Sequence, residues 1–429
     1  MNAAAEPIIV DALLGTGSSG APRGAIAEAV VTINAARRRG AAILAIDLPT
    51  GVDATTGEAT TAVAANLTIT FGTMKRGHLV ARQACGEIVV VDIGLGAYDA
   101  RDDGAPAIVD ERWIGRTIPP IPADAHKGTR KKLAVVGGAP GMAGATVLAA
   151  RAAMRSGVGM VRLVVAPESL PVVQGAEPLA LAGFWPNDDA SLEREIVGWA
   201  DGVVIGPGLG RGSASRSLVE RVLAGWTGPV LLDADALNVF AGDLDALARG
   251  IGRRPALLTP HPAEFARLAG STVEHVLMHR FEIGRDLARR TGATVLLKGV
   301  PTVITAPNGE SLVSAAGTPV LAAAGSGDVL SGVAGTLLAQ LGDALAAGAA
   351  GAWIHGRAAE LMPAHVRFAE LRAAHGRPST VHLPAEPTRV RGLTLDDVLE
   401  ALPLGWPAAA PAPPRYPVLF RLPAVGEHR

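Results

Sequence analysis

Short apolar runs that break on Gly, Pro, Asp or Asn and then give way to helical stretches recur along most of this chain. IIVDALL at 8–14 leads into Gly15-Thr16-Gly17-Ser18-Ser19-Gly20 and a helical stretch over 26–39. LAVVGG at 133–138 leads past Pro140, Gly141 and Gly144 into a helix over 145–156. Further runs at 41–48, 67–71, 88–92, 161–165, 200–209, 229–233, 256–259 and 294–297 repeat the theme. Alternating strand and helix is the pattern of parallel sheets, whose crossovers need a helix and whose carboxyl ends gather at one edge. The expected fold class is therefore α/β, with its ligand chemistry at that edge.

One turn carries more than the others. In AAAGSGDVLSGVAGTLLAQ, Gly325, Ser326 and Gly327 lead into Asp328, and Val329, Leu330, Val333, Leu337 and Leu338 follow at helical spacing. The free N–H groups and the positive dipole end of a helix suit a phosphate or a developing oxyanion. Asp328 in the first turn could accept a proton from a hydroxyl. Alone, these residues are more readily a plain loop and an acidic dipole partner.

Composition removes several function classes. Lys+Arg 39 against Asp+Glu 40 leaves a formal charge of −1, which offers no electrostatic hold for nucleic acid or an anionic membrane. Aromatics at 3% are too few for a base-stacking platform. A single cysteine, Cys85, excludes an internal disulfide framework and fits the cytoplasm. No apolar stretch is long enough to span a bilayer. The length suits two or three domains. We expect a first domain over 1–100, a linker with the proline run Pro119, Pro120 and Pro122 over 101–124, a second domain over 125–403 and a Pro-rich tail over 404–429. The segment 368–387 reads as an insertion and 393–402 as a final helix.

Polar residues at the ends of apolar runs are the remaining candidates. Asp11 and Asp47 sit where an unpaired carboxylate is costly and wants a cation or polar ligand; loop capping explains them equally well. His261, fixed between Pro260 and Pro262, is placed to touch a ligand, though a lone histidine is as readily structural. Lys298 beside Gly299 suits a phosphate.

Taken in order, KGTRKKLAVVGG, GPGLG, LLDADALN, LTPHPAEFARL, LLKGVPTVI and AGSGDVLSGVAGTLLAQ resemble the ADP/ATP-dependent NAD(P)H-hydrate dehydratase family over about 127–360. The resemblance implies a ribokinase-like second domain that acts on hydrated NADH or NADPH with ADP or ATP and Mg2+. It implies hydrate contacts at Ala145, Gly208, His261 and Asp328, with Asp328 catalytic. Nucleotide contacts fall at Lys298, Gly299, Val300, Pro301, Thr302 and Gly327. Lys131 stands where the family pattern has glycine. The rival within the same fold is a ribokinase-like small-molecule kinase that stops at the phosphorylated product.

VDALLGTGSSG, AIDLPTGVDATTG, LTITFGTMKRGHL and VVDIGLG resemble the second half of an NAD(P)H-hydrate epimerase domain. This implies a partial Rossmann-like three-layer α/β unit, potassium (K+) ligands at Asp11 and Thr50, and contacts to the hydrated nucleotide at Gly15, Thr16, Gly17, Ser18, Ser19, Gly20, Ala21 and Asp47. The family's first half, with its Asn-Asn-Gly-Gly-Asp-Gly loop, has no counterpart in this sequence. The expectation is therefore dehydration of one hydrate epimer, with at most residual epimerase activity in the first domain; the alternative for that domain is a non-catalytic binding or assembly module. A homo-oligomer is expected.

Overall fold

The computed structural model describes residues 7–94, 105–362 and 391–407. These fall into two compact units, one of residues 7–94 and the other of residues 105–362 with 391–407.

In the first unit, β1 (Ile8–Asp11), β2 (Ala42–Ile46), β3 (Leu67–Phe71) and β4 (Glu87–Val91) form a parallel sheet in that order. Its core is small, drawn from Val30 of the Gly24–Arg38 helix and Ala41, Ile43, Ala45, Val63 and Ala65. The first strand ends at Asp11, earlier than its apolar run suggests. Leu13 N–H donates to the Asp11 carboxylate and Leu14 N–H to Thr50 Oγ1, which takes the donors a longer ladder would need.

The second unit is built on ten strands: β5 (Ala107–Ile108), β6 (Lys132–Val136), β7 (Met160–Val165), β8 (Leu181–Phe184), β9 (Gly202–Ile205), β10 (Val230–Leu232), β11 (Ala256–Leu258), β12 (Thr294–Leu297), β13 (Thr302–Thr305) and β14 (Ser311–Ser314). The spatial order is 5-14-13-12-11-10-9-6-7-8. Strands 12, 11, 10, 9, 6, 7 and 8 are parallel, whereas β13 runs antiparallel to both neighbours. Strand alternation divides the core. Leu133 and Val135 join one apolar cluster with the helices Ala143–Arg155, Ser326–Leu341 and Ala344–Glu360; Ala134 and Val136 join the other with Ser213–Gly225, Leu244–Ile251 and Pro262–Ala269.

Residues 105–124, read as linker, are not bare chain. β5 adds to the sheet edge and Glu111–Thr117 forms a helix whose first turn is capped by Asp110, with Ile114 fully buried. The β13–β14 hairpin, whose connection carries the turn pair Asn308-Gly309, is an addition to the expected strands. The final helix spans Leu395–Ala401. The insertion at 368–387 and the tail beyond 407 lie outside the described residues.

Candidate functional site

Five neighbouring parallel strands deliver the expected residues to one edge. β6 ends in Gly137-Gly138, β9 in Gly206-Pro207-Gly208, β10 in Asp233, β11 in Thr259-Pro260-His261 and β12 in Lys298. The first two loops pack back to back: Ala139 N–H donates to Gly208 O at 2.7 Å and Gly138 N–H to Pro207 O at 3.0 Å. Gly208 has φ +58, and a Cβ there would lie 2.4 Å from Met142 O and 3.1 Å from Ala145 Cβ, so only glycine lets this loop meet the Ala143–Arg155 helix. Ala145 and Gly208 are thus brought together.

The Ser326–Leu341 helix begins after Gly325 (φ +90), with Asp328 in its first turn. A Cβ on Gly325 would meet Leu148 Cδ1 at 2.7 Å, which ties this turn to the same neighbouring helix. Its N–H groups are not all available: Ser326 donates to Ala323 O at 3.2 Å and Asp328 to Gly325 O at 3.0 Å.

Lys298 links the rest. Its Nζ lies 2.8 Å from Asp233 Oδ1 and 3.9 Å from Glu264 Oε2, and a Cβ on Gly327 would stand only 3.2 Å from it. The ammonium therefore lies against the start of the Asp328 helix. Burial works against its charge, yet Asp233 and Glu264 hold it above lysine's ordinary value. Asp328 is pushed up to about 7 by burial, with Asp233, Glu264 and Asp235 adding to the rise and Lys298 opposing it. Near neutral pH, then, Asp328 can both take and return a proton.

His261 has a structural task as well as a place at this edge. Its Nδ1 accepts from Ala263 N–H at 3.1 Å and Glu264 N–H at 3.4 Å, while Glu264 Oε2 accepts from His261 N–H at 2.9 Å, forming a capping box at the start of Pro262–Ala269. The ring is half-exposed, and its Nε2 lies 3.5 Å from Glu264 Oε1. Burial, with Lys298 and Arg267 nearby, holds this imidazole below its ordinary value against the pull of Glu264.

Lys298 N–H donates to Pro260 O at 3.0 Å, which fixes the β12 end beside the His261 loop. Gly299, Val300, Pro301 and Thr302 form the turn into β13; Thr302 Oγ1 donates to Gly299 O at 3.0 Å and Val300 is exposed. Among the described residues no group of three His, Cys, Asp or Glu side chains could hold a metal ion.

In the first unit, Asp11 and Thr50 meet. Thr50 Oγ1 donates to Asp11 Oδ1 at 2.7 Å and Thr50 N–H to Oδ2 at 2.8 Å, both residues fully buried. Asp47 adopts φ +66, an uncommon conformation for a non-glycine residue. Sequence reasoning missed its partners: Lys75 Nζ lies 2.6 Å from Asp47 Oδ1, Thr70 Oγ1 donates to the same oxygen at 2.9 Å, and His78 Nε2 lies 2.7 Å from Asp47 O. Burial disfavours the Asp47 carboxylate, but the Lys75 and Thr70 bonds outweigh it and hold its pKa below the usual range. Burial pushes His78 down to about 4, so it is neutral. Gly15 and Gly17, in the Gly15–Ala21 loop, have open space around them, and Ser18 Oγ donates to Gly15 O at 2.8 Å.

Comparison with known proteins adds the following. The sequence model described as NAD(P)H-hydrate dehydratase matches residues 133–374, and that described as YjeF-related protein N-terminus matches residues 2–77. The bifunctional NAD(P)H-hydrate repair enzyme of Coxiella burnetii is 38% identical over 362 residues, spanning 82% of this chain and 71% of that protein. The ADP-dependent (S)-NAD(P)H-hydrate dehydratase of Neisseria meningitidis is 43% identical over 242 residues, covering 56% of this chain and 79% of its own. Among solved structures, the ADP/ATP-dependent NAD(P)H-hydrate dehydratase of Bacillus subtilis, co-crystallized with ATP/Mg2+, superposes with a TM-score of 0.55 at 26% identity, over 70% of this chain and 98% of that one.

Proposed function

Since the chain belongs to the NAD(P)H-hydrate dehydratase family, we propose that its second unit repairs hydrated NADH or NADPH by ADP- or ATP-dependent dehydration of the S epimer. The observation that carries this reading is Asp328 in the first turn of the Ser326–Leu341 helix, with the Lys298 ammonium against Gly327 beside it.

Hydroxide is a poor leaving group at neutral pH, and phosphorylation turns it into phosphate. Asp328 takes the proton of the hydroxyl on C6 as its oxygen attacks the terminal phosphorus. The bond to the departing nucleotide breaks, so ADP leaves AMP and ATP leaves ADP. Lys298 and the helix N-terminus oppose the charge on the phosphoryl oxygens. The ring nitrogen's lone pair then expels phosphate from C6, and loss of a C5 proton restores the ring double bond. Ala145, Gly208 and His261 hold the hydrate; Lys298 to Thr302 and Gly327 hold the nucleotide. Magnesium enters with the nucleotide as part of the co-substrate. The buried thiol of Cys85, which burial pushes up to about 12, suits the reducing cytoplasm.

For the first unit the proposal is a potassium site at Asp11 and Thr50, with Gly15 to Ala21 and Asp47 facing the hydrated nucleotide. The buried pairing of a carboxylate with a hydroxyl supports it, and a thermal upshift in KCl but not NaCl, abolished in Asp11→Ala, would bear it out. The dehydratase reading is tested by incubating the protein with hydrated NADH, MgCl2 and ADP while following NADH absorbance and AMP. Accumulation of a phosphorylated hydrate without NADH would favour the small-molecule kinase.

A further inference from the structure

One buried carboxylate at the sheet edge has no role in the reaction described so far. Asp233 is 1% exposed, yet it joins four elements. From the end of β10, its Oδ1 accepts from Thr259 Oγ1 at the end of β11 (2.7 Å) and from Lys298 Nζ at the end of β12 (2.8 Å). Its Oδ2 accepts from Ser331 Oγ at 2.8 Å, one turn beyond Asp328 on the Ser326–Leu341 helix. A Cβ on Gly327 would lie 3.7 Å from that oxygen. The next residue, Ala234, is held at φ +49, where a side chain is strained.

Two hydroxyl donors could be satisfied by a neutral amide. A full negative charge there is needed only to hold the lysine, and it carries a cost, because a second carboxylate close to Asp328 opposes that residue's ionisation. We propose that Asp233 is the positioning residue for phosphoryl transfer: braced by Thr259 and Ser331, it fixes the Lys298 ammonium against the N-terminus of the Asp328 helix and places a second carboxylate beside that turn. This rests on the dehydratase reading above for its chemistry, but its geometric content stands apart from the substrate.

The charged groups around Asp328 are Asp233 just after β10, Asp235 from the short Asp235–Asn238 helix, Glu264 from the Pro262–Ala269 helix and Lys298 just after β12; His261 and His355 lie near Lys298 in turn. Asp233→Asn removes one negative charge and frees the ammonium toward Asp328. Both changes favour the ionised form of Asp328, so its titration moves to lower pH.

The decisive measurements compare wild type, Asp233→Asn and Ser331→Ala. The acidic limb of kcat/KM for the hydrate at saturating MgADP should move down by about one pH unit in Asp233→Asn, with the plateau falling about ten- to a hundredfold. In Ser331→Ala the plateau should fall while the limb stays, since the brace is lost and the charge kept. A lower plateau with an unmoved limb in Asp233→Asn would reduce Asp233 to a structural residue and overturn the proposal. Should Asp233→Asn fold poorly around its unpaired lysine, Lys298→Met/Asp233→Asn removes both partners. Action through Lys298 predicts a kcat/KM no lower than that of Lys298→Met alone, and additive losses contradict it. A carbon-13 carboxyl titration of aspartate-labelled protein, with Asp328→Asn to assign the signal, needs no substrate. A downward shift of the Asp328 titration in Asp233→Asn upholds the placement even if hydrated NADH proves to be the wrong substrate, and an unchanged titration refutes it.

Discussion

Asp328 combines two demands that oppose each other. In the proposed role of base it must ionise, but its burial among Asp233, Glu264 and Asp235 raises its pKa to about 7 from an ordinary 3.8. A carboxyl raised in the folded state stabilises the fold most below its unfolded pKa, and that contribution is lost as pH climbs through the folded value. Asp328→Asn should therefore lose two to four decades of NADH regeneration, the usual scale for a missing base, while matching wild-type melting near pH 4 and exceeding it by at least about 1 kcal/mol above pH 8. Equal melting curves across that range would show that Asp328 is not desolvated. The acidic limb of wild-type kcat/KM should fall near pH 7.

The helix-capping task of His261 can be separated from its proposed contact with the hydrate in the same way. Asn keeps a capping acceptor and loses Nε2, whereas Ala loses both. Both variants should raise KM for the hydrate about tenfold with little change for ADP, but only His261→Ala should lose about 1 kcal/mol of stability. Equal destabilisation by the two, with KM unchanged, would leave His261 as a cap alone.

At the scale of elements, the glycine expected at position 131 acquires a physical reason. Lys131 has φ +69, the left-handed region that costs a residue with Cβ about 1 kcal/mol. Lys131→Gly should raise Tm by a few degrees, and a lower Tm would show the lysine side chain to be worth more than the strain. Gly332 makes the opposite case. Alanine there gains about 1 kcal/mol of helix propensity, but its Cβ would stand 2.1 Å from Ala149 O, a backbone atom that cannot step aside. We expect Gly332→Ala to lower stability by about 1–3 kcal/mol, because overpacking against backbone outweighs propensity. A stabilised variant would mean that the two helices separate easily.

For the whole molecule, what the sequence made readable was whatever depends on neighbours along the chain. Short apolar runs gave the parallel strands, and Gly325-Ser326-Gly327-Asp328 gave the turn and helix at the sheet edge. What stayed hidden depends on approach through space. The contact of Lys298 with Asp233 spans 65 residues and that of Ser331 with Asp233 spans 98. No local pattern announces them, nor the grip of Lys75 and Thr70 on Asp47. His261 shows the intermediate case: its proline frame was visible, but its service as a helix cap became plain only with Glu264 folded back onto it.

In the proposed mechanism the hydrate's own hydroxyl oxygen attacks phosphorus. Hydrated NADH labelled with oxygen-18 at the C6 hydroxyl, turned over once with MgADP, tests this directly by mass spectrometry of the products. The account predicts the label in inorganic phosphate, one atom per NADH regenerated. Label recovered in water, with phosphate unlabelled, would contradict it.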